Sequence, residues 1–151
     1  GAGTAGCALA AGLRLRGWSG SITLLEIGRG PGGRTATRRS RSDPSFALNH
    51  GAPLFNISAS PEPRLQEPLR QGGWIAPFNG ALCSLDGEGR LGAALPDPLS
   101  SGALWQGAPH MDGLCRGLLT LAQQNGPTTL RSSTLVRALE PRSDGRGRAM
   151  R

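Results

Sequence analysis

Three glycines open the chain at the spacing that a phosphate-binding loop requires. Gly1, Gly3 and Gly6 form the pattern Gly-x-Gly-x-x-Gly, and Glu26 follows Gly6 by 20 residues. In this pattern the first glycine permits a tight turn, the second lets the backbone approach a pyrophosphate, and the third lets a helix pack closely on a sheet. The N–H groups at the helix start would hold phosphates. Glu26 would accept hydrogen bonds from a ribose, which favours an adenosine dinucleotide without a 2′-phosphate.

The residues that follow supply the elements that this loop needs. Residues 7–16 are mostly helix formers with a small-residue face, and residues 21–25 read as a buried strand. With 24 glycines in 151 residues, the spacing by itself has an alternative, a glycine-rich turn before an ordinary helix. The order of helix, strand and acidic residue instead predicts a dinucleotide-binding βαβ unit.

A second glycine-rich turn comes directly after Glu26. Residues 27–33 contain four glycines and a proline, a composition that disfavours helix and regular strand. Backbone N–H groups here, with Arg29, Gly33 and Arg34, could reach the same phosphates. The alternative is a flexible linker.

The rest of the chain alternates between short strand and helix patterns. We expect a strand within 46–52, a weak helix at 61–71, a strand at 74–78, a hairpin from 80–85 and 90–94, a loop at 96–109, a helix at 111–124, strands at 128–131 and 135–139, and a turn or frayed tail from Pro141. This order predicts an α/β domain with a small β-rich excursion.

Charge and cysteine content argue against nucleic-acid and metal sites. The net charge of +7 results from 17 basic residues, all of them arginine, against 10 acidic residues. The densest cluster (Arg34, Arg38, Arg39 and Arg41) has no interleaved aromatic residues, so nucleic-acid binding is not favoured. Cys7, Cys83 and Cys115 are too widely spaced for a zinc or redox motif, so no metal is expected. Scattered cysteines in apolar contexts suggest reduced core thiols and a cytoplasmic protein.

The ends and the hydrophobic content suggest a piece of a longer protein. The glycine pattern normally follows a strand, which is missing before Gly1, and hydrophobic residues make up only 37% of the chain. No apolar run approaches the roughly 18 residues of a membrane helix.

Four stretches together resemble a known family. Residues 1–6, Glu26, residues 30–39 (family pattern G-x-G-G-R-x-A-T-R-R) and residues 49–55 (family pattern D-x-G-A-x-x-F) run in family order. The chain resembles the N-terminal half of FAD-dependent amine-oxidase-type flavoproteins, closest to the renalase-like branch. Asn49 departs from the acidic residue usual at that position.

The resemblance implies a Rossmann-like FAD-binding domain of the glutathione-reductase type with a β-rich insertion, and a missing C-terminal half. Its segments would be 1–56 (FAD binding), 57–108 (substrate-domain insertion) and 109–151 (return to the FAD domain). The implied cofactor contacts fall into four groups: Gly1, Gly3, Ala5 and Gly6 at the pyrophosphate; Glu26 and Arg34 at the ribose and pyrophosphate; His50, Gly51 and Ala52 at the flavin ring; and Val136 at the adenine.

The implied activity is hydride transfer from a small substrate, a reduced nicotinamide nucleotide or an amine, to FAD, followed by reoxidation by oxygen. This piece alone is expected neither to hold FAD tightly nor to turn over. His50 could shuttle protons or simply shape the turn, and Trp74, Phe78 and Trp105 could line a substrate cavity or pack in the core. Two other classes stay open: an NAD-binding dehydrogenase and a non-catalytic arginine-rich binding module.

Overall fold

A computed structural model describes residues 1–43, 45–57, 63–92, 102–139, 141–142 and 149–150. The helices are α1 (Thr4–Leu15), α2 (Pro63–Gln71) and α3 (Gly113–Gln124). The strands are β1 (Ile22–Leu25), β2 (Thr37–Arg39), β3 (Ala47–Asn49), β4 (Phe55–Ile57), β5 (Ile75–Pro77), β6 (Ser84–Leu85), β7 (Leu91–Gly92), β8 (Ala103–Gly107), β9 (Thr128–Arg131), β10 (Pro141–Arg142) and β11 (Ala149–Met150).

The dinucleotide-type unit forms around α1 and β1 as the sequence predicted. Gly3 precedes α1, whose small residues Cys7, Ala10 and Ala11 are buried. Small side chains on this face allow α1 to lie close to α3, against which it packs. β1 pairs in parallel with β9, from Ile22 opposite Thr128 to Leu25 opposite Arg131.

Helix α3 carries the amphipathic pattern that predicted it. Its apolar face is buried through Leu114, Cys115, Leu118, Leu119 and Ala122. The helix ends before Gly126, whose φ of +147° turns the chain toward β9.

Arg14 joins the two loops that precede the parallel strands. Its guanidinium donates to the carbonyl of Trp18 at 2.6 Å, to the carbonyl of Pro127 at 2.5 Å and to the Thr128 hydroxyl at 3.2 Å. The side chain is 5% exposed. A buried cation is stable here because each of its nitrogens has an acceptor, and the bonds align the starts of β1 and β9.

The β-rich excursion is a three-stranded antiparallel sheet in the order β4–β8–β5. The prediction of a loop at 96–109 was wrong for 103–107, where β8 is the central strand and Trp105 lies opposite Phe55 and Pro77. The prolines and glycines around this stretch indicated a loop. The strand forms nevertheless, because it pairs with β4 on one edge and with β5 on the other. The predicted hairpin is confirmed at β6 and β7, which pair around a turn where Asp86 accepts the Glu88 and Arg90 N–H groups.

Two further expectations for the C-terminal part were wrong. Residues 134–139 are not a strand: Ser133 has a φ of +53°, and the N–H of Thr134 bonds back to the Glu26 carbonyl at 2.8 Å. The chain therefore turns across the end of β1 instead of continuing a ladder. The tail that was expected to be irregular contains the antiparallel pair β10–β11. Within the described residues, no helix has both the length and the apolar character that a membrane crossing demands.

Candidate dinucleotide-binding site

The two glycine-rich turns pack against each other through their backbones. Gly3 and Gly32 make a parallel β-bridge, and the Gly32 N–H donates to the Ala2 carbonyl at 2.9 Å. A Cβ on Gly33 would lie 3.1 Å from the Gly3 Cα, so these backbones approach as closely as glycine allows. The second turn therefore has a defined structure against the first turn, whereas the sequence had allowed a flexible linker as an alternative.

The carboxylate of Glu26 is bound by both turns. One oxygen accepts the Ala2 N–H at 2.7 Å and the other accepts the Gly28 N–H at 2.7 Å. The residue is 9% exposed. The Ala2 hydrogen bond, joined by that from Gly28, holds the pKa of the Glu26 carboxyl below its usual value although burial opposes the shift. The group is thus an anion with acceptor capacity left for hydroxyl groups of a ligand.

A cavity of about 820 Å³ opens beside Glu26 and the second turn. Of the residues predicted for the site, Glu26, Arg29, Gly33 and His50 line it. The other lining residues are Gly28, Gly30, Pro31, Ala36, Thr37, Arg38, Arg39 and Arg116. This volume falls within the range of small-molecule and cofactor sites.

Other predicted residues lie elsewhere. Gly1, Gly6 and Val136 line a second, largely apolar cavity of about 330 Å³ between α1 and β1. Ala5 is exposed on the first turn of α1. Val136 belongs to the irregular segment after β9, so the strand that was expected to present it is absent there.

The turn after β3 is fixed by Arg34. The Ala52 N–H donates to the Arg34 carbonyl at 2.9 Å, and a Cβ on Gly51 would overlap that same oxygen. Glycine is therefore required at 51 for the turn that carries His50 to the cavity wall. The Arg34 side chain itself is exposed and is not among the lining residues.

Asn49 links this turn to the start of α3. Its Oδ1 accepts the Thr37 hydroxyl at 2.8 Å and the Met111 N–H at 3.1 Å. The Thr37 hydroxyl oxygen in turn accepts the Asp112 N–H at 3.1 Å. The position needs an acceptor, which the Asn49 amide oxygen supplies and which a carboxylate could also supply.

Asp112 and Arg116 are functional candidates that sequence reasoning missed. The Asp112 carboxylate accepts two hydrogen bonds from Arg39, at 2.8 and 3.2 Å, and one from Arg116 at 2.8 Å. Burial alone would raise the pKa of Asp112, but the Arg39 hydrogen bond and the charges of Arg116 and Arg39 hold it below its usual value. The i, i+4 spacing of Asp112 and Arg116 was a usable signal, whereas Arg39 and Asp112 are 73 positions apart and no sequence pattern connects them.

Two buried thiols lie beneath the glycine turns. Cys115 contacts the Thr35 hydroxyl at 3.2 Å, and the Cys7 thiol donates to the Ala2 carbonyl at 3.3 Å. The neighbouring Cys115 thiol and burial raise the pKa of Cys7 well above its ordinary value, which keeps this thiol protonated. Their packing role is the one that the sequence predicted. The described residues contain no group of three or more His, Cys, Asp or Glu side chains suited to a metal ion.

The backbone geometry fits an anionic dinucleotide. The glycine turns leave room where side chains would intrude, since a Cβ on Gly30 would meet nothing within 4 Å, and arginines surround the space.

Residues 1–71 match the family model of the NAD(P)-binding Rossmann-like domain. The matched segment contains both glycine turns and Glu26, and the structure around it is mixed α/β, as predicted. This domain type indicates a dinucleotide cofactor and is typical of oxidoreductases. No curated protein matches the chain.

Proposed function

We propose that this chain is the dinucleotide-binding part of an FAD-dependent oxidoreductase of the amine-oxidase type, in the renalase-like branch. The observation that carries the proposal is the arrangement of Glu26 between two ordered glycine turns. Its carboxylate is held by the Ala2 and Gly28 N–H groups on the wall of the large cavity. A ribose of the cofactor would bind at this carboxylate.

The second turn favours FAD over a nicotinamide cofactor. Gly33 and Arg29 of the second turn line the cavity together with Glu26, whose carboxylate also accepts the Ala2 N–H of the first turn. In our proposal residues 1–56 and 109–151 form the FAD domain, and residues 57–108 the substrate-domain insertion. The parallel pairing of β1 with β9 supports that division.

The remaining chemistry follows from the cofactor. FAD, when bound, would supply hydride acceptance from a reduced nicotinamide nucleotide or an amine and subsequent reoxidation by oxygen. The protein would bind and orient it. His50 is exposed on the cavity wall, where it could hold or pass a proton near the reacting end of the ligand.

A nicotinamide-dependent dehydrogenase is the second candidate. The description of the matched family, an NAD(P)-binding domain, favours it. Both candidates would use the same backbone cradle and the same carboxylate. They differ in which dinucleotide binds, so a direct comparison of ligands separates them.

The test is titration of the purified chain with FAD and, separately, with NAD⁺, followed by flavin fluorescence and calorimetry. Gly3→Val should weaken FAD binding at least about tenfold, since a side chain there would occupy the space of a pyrophosphate. Gly87→Val is the matched control, because a Cβ at this exposed hairpin glycine meets nothing within 4 Å. Thermal unfolding checks that both variants fold, and Glu26→Gln replaces Gly3→Val if that variant does not.

Three outcomes would contradict the proposal. NAD⁺ binding without FAD binding identifies the dehydrogenase. Salt-sensitive nucleic-acid binding that survives Gly3→Val identifies the basic binding module. Absence of even weak binding of either dinucleotide by a folded chain rejects a cofactor role for these turns.

A further inference from the structure

Helix α3, which lies outside the segment matched to the Rossmann-like family, contributes a cation to the large cavity. Arg116 of α3 and Arg39 of β2 both line it, and both are bound to the carboxylate of Asp112. We propose that Arg39, Asp112 and Arg116 form a phosphate-binding subsite, here termed the arginine clamp, that is separate from the glycine turns. The inference rests on the proposed function for the identity of its ligand, a phosphate-bearing nucleotide.

The hydrogen-bonding geometry leaves the clamp ready to bind a second anion. A guanidinium has five N–H donors. Asp112 accepts two bonds from Arg39 and one, through Nε, from Arg116, so donors remain on both side chains. The Arg39 and Arg116 side chains are 39% and 52% exposed, whereas that of Asp112 is 6% exposed. The buried Asp112 carboxylate thus holds one side of each arginine, and the other side is accessible to solvent.

The net positive charge of the cavity lining also favours the binding of an anion. Four arginines line it, and Glu26 is the one carboxylate residue among the described lining residues. Asp112 compensates only one of the two charges that it contacts. A phosphate group accepts paired guanidinium N–H donors in a geometry that a fixed planar fork matches well.

The use of the Asp112 side chain supports a positioning role. Asp112 is the N-cap residue of α3, where an aspartate ordinarily accepts an N–H of the first turn. Here the side chain makes no capping bond, and its carboxylate binds the two arginines instead. The Thr37 hydroxyl anchors the Asp112 N–H, which fixes the carboxylate relative to β2. The Asp112 carboxylate therefore positions the two arginines and does not cap α3.

The test uses the full chain and inorganic pyrophosphate as the probe, measured by calorimetry at several salt concentrations. Arg116→Gln and Arg39→Gln should each weaken binding about tenfold and make affinity less dependent on salt, because each removes a charged hydrogen-bond donor. Arg41→Gln is the matched control, since Arg41 is an exposed arginine of the same region that does not line the cavity. It should bind like the unaltered chain.

Asp112→Asn distinguishes two roles for Asp112: positioning the two arginines for an anion, or only linking β2 to α3 to stabilise the fold. If Asp112 positions the arginines, the variant binds pyrophosphate more weakly while the salt dependence persists, because both cations remain. Arg116→Lys should likewise keep the salt dependence and lose affinity, since an ammonium cannot reproduce the fork. If the triad is only a structural staple, thermal stability falls in these variants and pyrophosphate affinity does not change, which overturns the proposal.

Two further experiments identify the source of the bound phosphate and test the clamp independently of the FAD proposal. Pyrophosphate that is displaced by FAD indicates that the clamp binds the cofactor's own diphosphate, whereas binding alongside FAD assigns it to a phosphorylated substrate. A chain that ignores FAD but binds pyrophosphate through Arg116 retains the clamp and refutes the FAD proposal. Pyrophosphate binding that is absent, or that is lost in Gly3→Val and unaffected by Arg116→Gln, refutes the clamp.

Discussion

The carboxylate of Glu26 accepts a 2.7 Å hydrogen bond from the backbone N–H of Ala2, 24 residues earlier in the chain. This bond joins the residue after β1 to the first glycine turn. The second carboxylate oxygen binds the Gly28 N–H, so the same side chain also fixes the second turn. The acidic end of the cavity is therefore preorganised by backbone donors before any ligand arrives.

Glu26 should make stability depend on pH in the acid range. Its folded-state pKa lies below the ordinary value of 4.5, so its stabilising effect is complete above that value and is lost as pH falls through the folded pKa. At neutral pH we expect Glu26→Gln to lower the free energy of unfolding by about 1.5–3 kcal/mol. Urea titrations at a series of pH values measure the difference between the two proteins. A difference that stays constant down to about pH 3 would contradict this assignment.

Gly6 should tolerate no side chain, in contrast to Gly30. A Cβ on Gly6 would overlap the Gly1 carbonyl oxygen, a backbone atom that cannot move aside easily. We expect Gly6→Ala to destabilise the chain by about 1–3 kcal/mol or more. Gly30→Ala is the matched control, because a Cβ there meets nothing within 4 Å. Equal unfolding midpoints for the two variants would show that α1 does not require its close approach to the first turn.

Asn49 should be replaceable by aspartate and not by leucine. Its Oδ1 accepts bonds from the Thr37 hydroxyl and the Met111 N–H, and a carboxylate can accept both. Asn49→Leu leaves the Met111 N–H without this acceptor, which should cost about 1–3 kcal/mol. Thermal unfolding of both variants checks the difference. If Asn49→Asp is as destabilised as Asn49→Leu, the amide nitrogen has a role that these two bonds do not explain.

The three thiols should react at very different rates. Cys83 is exposed, whereas Cys7 and Cys115 are each 0% exposed. A disulfide reagent should modify Cys83 rapidly and the other two thiols only as the chain unfolds, because both are buried; a raised pKa also suppresses the Cys7 thiolate. Cys83→Ser should abolish the fast phase. Rapid reaction of two thiols in that variant would show that α1 and α3 separate readily.

Local patterns were sufficient where an element depends on its own residues. The apolar periodicity of α3 and the glycine spacing before α1 predicted both helices, and the run at 21–25 predicted β1. Strand β8 was missed because its stability comes from β4 and β5 on either side, and a five-residue window contains neither. The strand expected at 135–139 had suitable residues, but the backbone just before it turns away, because the Ser133 and Thr134 N–H groups bond to the carbonyls of Gly28 and Glu26.

The sequence by itself determined the cradle: the glycines that permit close backbone approach, the carboxylate at its distance, and the helix and strand between them. Their conformational requirements are local, so residue type and spacing are enough to indicate them. Only the tertiary structure decided that Asp112 joins Arg39 to Arg116, which both line the cavity, and that Asn49 connects β3 to the start of α3. Ion pairs and hydrogen bonds across 62 or 73 residues depend on how helices and strands pack, and a single sequence leaves no periodic trace of that packing.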